Sequence, residues 1–430
     1  KEAIIDPTNR LADAYMPDNS SKCNTSFKFN SNLWKYPDWK NYEIKYQPNI
    51  WWNSTDGVKL GMNMKGGYMN HHHLFDATIW MNSRIQQNQT KENYSSYDDL
   101  SYRFSYNTNL DEVALNSRIV FKSSYIAGLQ SNKLSLKKSD SKGHNSISVD
   151  LISLFRPKNS SENYLNNEYW NKNKYNNRID VNLNHKYEYS YGKGNINISL
   201  KTSTLISDYN YSSFSIEAIN NNKVGNNRKV KLNTRAYLQL GHGNNWAPES
   251  LLGLSGANNE ELFENKYTRT NGIISSEMMN FNNEIGNFHM GGGLNLRGYT
   301  YYLAPEYDKN GDPIKNTNFG TSGASLSTEI DFSSYILPYS IRKQGFVSYL
   351  FADAGFINIE DINRNNYKTA WSDIRADAGI GFTYTHRNWG PLETISPLVI
   401  RLDLPLFLNR PPFGEEYTQL RYILGIGKTF

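Results

Sequence analysis

The chain has 430 residues, enough for one large domain or two ordinary ones, with a net charge of +5 and 31 tyrosines. The modest charge gives no reason to invoke nucleic acid, the single cysteine, Cys23, excludes an intrachain disulfide or a cysteine zinc cluster, and no apolar run approaches the ~20 residues of a membrane-spanning helix. A mean hydropathy of −0.68 still leaves a membrane β-barrel open, because only alternate residues of such a strand face lipid.

The first residues, Lys1-Glu2-Ala3-Ile4-Ile5-Asp6, do not form a basic region followed by an apolar core, so they do not read as a signal peptide. From residue 43 onward the dominant pattern is period-two alternation, the mark of a strand with one apolar face. Over 57–65, Val58, Leu60, Met62 and Met64 oppose Lys59, Gly61, Asn63 and Lys65. His71-His72-His73 follows at a polar turn. Consecutive residues of an extended strand point to opposite faces, so these imidazoles do not converge on one ion and no metal site is expected. Residues 178–191 set Ile179, Val181, Leu183, Tyr187, Tyr189 and Tyr191 against Asp180, Asn182, Asn184, Lys186 and Glu188. Residues 194–204 alternate Ile196, Ile198 and Leu200 with polar neighbours. In 229–241, Val230, Leu232, Ala236, Leu238 and Leu240 face away from Lys231, Asn233, Arg235 and Gln239. The clearest run, 373–385, sets Ile374, Ala376, Ala378, Ile380, Phe382 and Tyr384 against Arg375, Asp377, Gly379, Gly381, Thr383 and Thr385.

Turn sequences such as Ser54-Thr55-Asp56-Gly57 and Tyr191-Gly192-Lys193-Gly194 separate these runs. The Asn-rich stretches 157–177 and 243–285 read as extracellular loops. About fifteen or sixteen strand candidates follow, each near the ~10 residues a tilted membrane strand needs. The expected fold class is therefore all-β: a transmembrane antiparallel barrel, with about sixteen strands since bacterial single-chain barrels are even-numbered. A soluble sandwich or propeller also alternates, but here one face carries charge and glycine while the other carries no charge over whole strands. The chain ends on an alternating strand with Tyr422, Leu424, Ile426 and Phe430.

At 291–300 the chain reads Gly-Gly-Gly-Leu-Asn-Leu-Arg-Gly-Tyr-Thr. This resembles the Val-Arg-Gly-Phe/Tyr motif of the sixth extracellular loop in the outer-membrane assembly-factor and two-partner-secretion superfamily, also called the bacterial surface antigen barrel. GASLSTEIDF (323–332), FVSYLFADAGF (346–356), DIRADAGIGFTY (373–384) and SPLVIRLDLPL (396–406) resemble its strands twelve to fifteen, in order. LGIGKTF (424–430) resembles its C-terminal strand. The resemblance covers the last part of the chain well and the earlier strands only by pattern. It implies that the loop folds into the lumen, with Arg297 pairing with Asp353 and Glu329, and that Gly298 and Tyr299 belong to the same lock. A guanidinium in a confined lumen needs carboxylate partners, and its planar fork suits bidentate contact. It also implies that Tyr422, Leu424, Ile426 and Phe430 form a signal read by the barrel assembly machinery.

The opening IIDPTNRLADAYMPDN (4–19), DIRADAGIGF and RLDLPLFLNRPP (401–412) look similar to a narrower Bacteroidetes subgroup in which a gluzincin aminopeptidase-like domain precedes the barrel. On that basis residues 1–42 are a periplasmic linker or the remnant of an upstream domain. Residues 43–430 are the barrel, with loop 243–321 carrying the Leu-Arg-Gly-Tyr motif. The zinc motif of that enzyme class, His-Glu-x-x-His, is not in this sequence, so no catalytic residue and no cofactor is expected in it, and zinc belongs only to such an upstream domain. Three functions stay open: an outer-membrane anchor, and export route, for an upstream peptidase-like domain; insertion of outer-membrane proteins or translocation of polypeptides; and a non-catalytic subunit of a larger complex. Expected partners are outer-membrane lipids and lipopolysaccharide, the assembly machinery, and other outer-membrane or periplasmic proteins.

Overall fold

The computed structural model describes the chain apart from residues 1–3, 6, 9–14, 23, 31–35, 54, 70, 86–97, 160–163, 166–168, 226–228, 270–286, 301–305, 308–312, 315–317, 361–368, 387–397, 412–414 and 430. One large sheet dominates it. In chain order its strands are β1 (Thr25–Phe29), β2 (Tyr42–Asn53), β3 (Gly57–Tyr68), β4 (His72–Asn82), β5 (Leu100–Asn109), β6 (Ser117–Ile126), β7 (Leu129–Ser139), β8 (Asn145–Phe155), β9 (Tyr175–Tyr189), β10 (Gly192–Ser203), β11 (Asn210–Val224) and β12 (Val230–Asn245). They continue as β13 (Phe288–Met290), β14 (Gly323–Asp331), β15 (Phe346–Glu360), β16 (Thr369–Trp371), β17 (Arg375–His386), β18 (Leu398–Leu408) and β19 (Ile423–Ile426).

Among the described residues the sheet holds 19 strands, where about sixteen were expected. The short strands β1, β13 and β16 have no alternation long enough to read from sequence. From β2 to β12 each strand pairs antiparallel with the next, and the ladder continues β12–β14–β15–β17–β18–β19. β16 adds to the end of β15. β1 lies parallel to β2 on its outer edge, and β13 lies parallel to β19. Among the described residues β2 and β19, the first and last long-ladder strands, do not pair with each other.

The alternation becomes two chemically distinct faces. On β3, Lys59 and Asn63 are buried inside while Leu60 and Met62 are exposed outside. Ile50, Ile79, Met81, Ile147, Leu151, Leu183, Leu200, Leu240, Leu326, Leu350 and Ile400 are likewise exposed on the outer face. Soluble monomers rarely show apolar surface so continuous, and it matches the lipid-facing band of a membrane barrel. Tyr187 and Tyr189 stack on the outer face near one end, with ring centroids 6.2 Å apart, a placement suited to the bilayer interface.

Connections alternate between ends. At one end they are long, including 83–99, 156–174 and 246–322. At the other most are short, such as 140–144 and 190–191. The tightest connection at the long end is Ala127-Gly128, where φ is 52° and 69°, the pair of positive angles of a type I′ hairpin turn.

The two Asn-rich stretches read as extracellular loops fold in part into the barrel. Tyr164, Leu165 and Trp170 pack with Trp80, Ile126, Leu129, Leu154 and Phe263 in one buried cluster. These few large apolar side chains inside polar sequence outweigh the Asn-rich composition, since each fully buried one stabilises the fold by roughly 1.5–3 kcal/mol.

Candidate functional site

The centre of the lumen is occupied by the connection 246–322, whose described residues fold on themselves before meeting the wall. Leu294 N–H donates to Gly253 O at 2.9 Å and Leu296 N–H to Leu254 O at 3.1 Å. These bonds bring Leu252, Leu254, Leu294, Leu296 and Tyr299 together against Ile357 of β15 and Leu408 of β18. A short helix, α1 (Asn259–Glu264), starts at a capping box: Asn258 accepts from Glu261 N–H and the Glu261 side chain accepts from Asn258 N–H. That arrangement satisfies backbone donors at the helix start which otherwise have no partner.

Arg297 is fully buried where this loop meets the wall. Its Nε donates to Asp353 Oδ2 at 2.7 Å and its Nη2 to Asp353 Oδ1 at 3.2 Å, a bidentate fork, while Nη1 reaches Glu329 Oε1 at 2.8 Å. The guanidinium also lies 4.4 Å from the ring centroid of Phe351. The structure thus brings together the three charged residues that the motif named, on the loop, β14 and β15. Gly298 N–H donates to Asp377 Oδ2 at 3.1 Å, and the Tyr299 hydroxyl donates to Asn409 Oδ1 at 2.7 Å. A Cβ on Gly298 would stand 2.6 Å from Asp377 Cβ and 2.7 Å from Leu408 Cδ2, so the close approach requires glycine.

The cluster extends to β18. Arg401 Nε donates to Asp403 Oδ2 at 2.6 Å, the Tyr349 hydroxyl donates to Asp403 Oδ1 at 2.5 Å, and Thr429 Oγ1 accepts from both Arg297 and Arg401. Arg401 also contacts His289 Nδ1, while His289 Nε2 lies 2.8 Å from Ser255 O. A carbonyl can only accept, so Nε2 carries the proton and Nδ1 accepts from Arg401. His289 belongs to β13, and this contact ties the short edge strand to the charged cluster.

A second set of anchors holds the front of the loop. Arg178 of β9 grips both carboxylate oxygens of Glu260 and bonds Asp180 at 3.0 Å. Glu249 is buried and accepts from Asn176 Nδ2 at 2.8 Å, and its other oxygen has no hydrogen-bond partner. Burial, with a smaller contribution from Glu260, pushes the Glu249 carboxyl up to about 7. The sequence reading missed Asp377, Asp403, Glu249 and Glu260. Alternation placed Asp377 on the polar face, and the Asn258-x-x-Glu261 spacing is a capping-box signature next to Glu260, so signals existed for Asp377 and Glu260.

Leu424 and Ile426 pair with Phe288 and Met290 of β13 and with Leu402 and Ile400 of β18. Tyr422 is exposed. Phe430 and Cys23 lie outside the described residues. Within the histidine run, His73 Nδ1 meets the Tyr106 hydroxyl at 2.6 Å and His71 Nε2 meets the Asn109 amide at 2.8 Å, so these two rings engage separate hydrogen-bond partners.

No family model matches the sequence, and no curated protein does. Among solved structures the chain is similar to BamA of Haemophilus ducreyi lacking POTRA domains 1–3, at 13% identity over 89% of this chain and 70% of that one, with a TM-score of 0.46. It is similar to the OccK10 (OpdN) protein of Pseudomonas aeruginosa at 11% identity over 89% and 90% of the two chains, TM-score 0.38. CdiB of Escherichia coli aligns at 13% identity over 85% of this chain and 52% of its own, TM-score 0.36. All three scores lie below 0.5, and the likeness says nothing about activity.

Proposed function

We propose that the chain is an outer-membrane barrel of the protein-insertion or polypeptide-translocation kind, plugged by its own loop and working at the junction of its first and last strands. The apolar outer face supports the membrane placement, and the long connections fit the extracellular end, as in bacterial barrels generally. Arg297, Gly298, Tyr299, Asp353 and Glu329 act as the lock that keeps the loop seated. Tyr422, Leu424, Ile426 and Phe430 serve as the signal for the assembly machinery, with lipid and lipopolysaccharide as surroundings.

The observation that carries this reading is the state of the junction. β19 is only four residues long, and its free edge is held by the three-residue β13 rather than by β2. A weakly held strand edge can accept another extended chain by strand addition. The test is a disulfide between the register partners Met290 and Ile426, introduced as Met290→Cys and Ile426→Cys in a Cys23→Ser background. Locking that edge under oxidising conditions should stop outer-membrane protein assembly or secretion, and reduction should restore it. Full activity of the locked protein would rule the reading out. Anchoring of an upstream peptidase-like domain is the second reading, favoured by the likeness of residues 4–19 and 401–412 to that subgroup. Under it the locked protein keeps its activity.

A further inference from the structure

Around the plug, lumen cations have partners of opposite sign: Lys59 meets Asp56, Arg178 meets Asp180 and Glu260, Arg235 meets Glu217, and Arg401 meets Asp403. The lumen face of β6 and β7 departs from this. Phe121 and Leu136 are exposed on the outer face, so alternation turns Arg118 and Lys122 of β6, and Lys133 and Lys137 of β7, into the lumen. In the antiparallel register Arg118 lies directly opposite Lys137, and Lys122 directly opposite Lys133. Like charges directly opposite each other destabilise a ladder. Lys133 Nζ reaches Asp150 of β8 at 2.9 Å, and Arg118 Nε donates to the neutral Asn109 Oδ1 at 3.1 Å. Arg118, Lys122 and Lys137 are exposed to the lumen, and among the described residues no carboxylate lies within ion-pairing distance of any of the three.

Beside the first pair lies a partly open space of about 370 Å3, lined by Arg118, Lys137, His71, Asn109 and Asp111 among others. It is bordered by the connections 69–71 and 110–116, at the short-connection end of the barrel. Its one acid, Asp111, accepts from Asn116 N–H at 2.9 Å within its own turn. The volume suits a ligand site, since such sites run from roughly 300 to 1,000 Å3. The two cation pairs are four residues apart on each strand, about 13 Å at the rise of a strand. A single small anion reaches only one of them. An extended polypeptide has the same rise as the wall, so carboxylates four residues apart along it meet both pairs. Each carboxylate has two oxygens, enough to accept from both cations of a pair.

We propose that the lumen face of β6 and β7 binds an acidic polypeptide segment, extended along the strands and entering from the short-connection end. Arg118 and Lys137 take the first carboxylate, and Lys122 with Lys133 the second. The site stands apart from the junction of β2 and β19, so it holds whether the barrel inserts, translocates or anchors. A bound segment also relieves the repulsion that the two opposed pairs build into the empty wall.

The test is fluorescence anisotropy on the full chain in detergent micelles at low salt, with heptapeptides carrying an uncharged dye. One peptide has two glutamates four residues apart, a second has the same glutamates adjacent, and a third has lysines in their place. The first should bind saturably and lose affinity as salt is added, the second should bind about threefold more weakly, and the third should not bind. Lys122→Gln and Lys137→Gln should each weaken the first peptide about threefold, and the double variant about tenfold. Because each substitution removes a like-charge contact, the urea midpoint of either variant without peptide should equal or exceed that of the wild type. A lower midpoint would show that these cations already serve the wall, and would overturn the proposal. So would absence of saturable binding, equal affinity for the two glutamate arrangements, unchanged binding in the double variant, or displacement by inorganic phosphate at the peptide's own concentration, which marks a general anion site.

Discussion

Replacing Arg297 by alanine removes the only loop cation bonded to Asp353 and Glu329 among the described residues. Both contacts are short, at 2.7 and 2.8 Å, and the arginine and Asp353 side chains are fully buried. Taking away one partner of a buried pair costs about 3–5 kcal/mol, because the remaining charge has lost its water and has no substitute for it. The pair Lys231–Asp331, whose lysine is 56% exposed at a similar separation of 3.0 Å, sets the comparison, since a pair whose cation stays in water contributes about 0–1 kcal/mol. Urea unfolding in detergent micelles, followed by tryptophan fluorescence, should therefore show a large fall in midpoint for Arg297→Ala and almost none for Lys231→Ala. A cycle with Asp353→Ala and the double variant should give a coupling of about 1–3 kcal/mol. If Arg297→Ala shifts the midpoint no more than Lys231→Ala, or the coupling is near zero, the loop is not held by this ion pair.

Three further outcomes are expected. Glu249 has its carboxyl raised from 4.5 to about 7 by burial, so the folded state binds its proton more tightly than the unfolded one. Its contribution is complete below about pH 4.5 and is lost as pH rises through about 7. Hydrogen-exchange protection over 247–269, taken relative to the intrinsic base-catalysed rate, should accordingly fall between pH 5.5 and 8, and Glu249→Gln should remove that fall; an identical profile in the variant would contradict it. Gly298→Ala forces a methyl into Asp377 and Leu408 and should cost about 1–3 kcal/mol, read as a lower urea midpoint; a wild-type midpoint would show that the loop backbone does not approach so closely. Deleting Phe430 should lower the yield of protein in the outer membrane, and an undiminished yield in fractionated membranes would show that the assembly signal lies elsewhere.

The wall of the barrel was legible wherever both faces of a strand are chemically enforced. Residues 57–65 and 373–385 alternate without interruption because lipid excludes charge on one side while the lumen carries ions and glycine on the other. Arg297 and Gly298 were legible through a motif, not through periodicity. What stayed hidden is long-range. Nothing local in Thr25–Phe29 says that it lies parallel to Tyr42–Tyr46, and nothing in Phe288–Met290 points to Leu424–Ile426, since three to five residues alternate by chance. The Asn-rich composition of 157–177 and 243–285 read as loop and gave no sign of a buried apolar cluster. The few apolar residues within them, Tyr164, Trp170, Leu262 and Phe263, decide the outcome because each is large. Arg178 could be placed on the polar face of 178–191, but its partner Glu260 lies in a different part of the chain that no alternation reaches.

The acids of the wall have a bearing on the order of assembly. Glu329, Asp353, Asp377 and Asp403 sit on the adjacent strands β14, β15, β17 and β18, and Asp353 lies opposite Asp377 in the register. Asp353 and Asp377 face each other across β15 and β17, a juxtaposition that costs about 4 kcal/mol for charges ~4 Å apart near a protein surface, whereas Asp403 arrives with Arg401 on its own strand. Arg297 precedes all four in the chain, so its guanidinium has been synthesised before any of these acids. The closing quarter of the wall and the plug therefore form one cooperative unit, and a barrel that shut with its loop outside would leave Asp353 and Glu329 facing its own pore without Arg297, while Asp403 keeps Arg401. Such a product is strained toward reopening, which gives strand-by-strand closure a means of correcting itself.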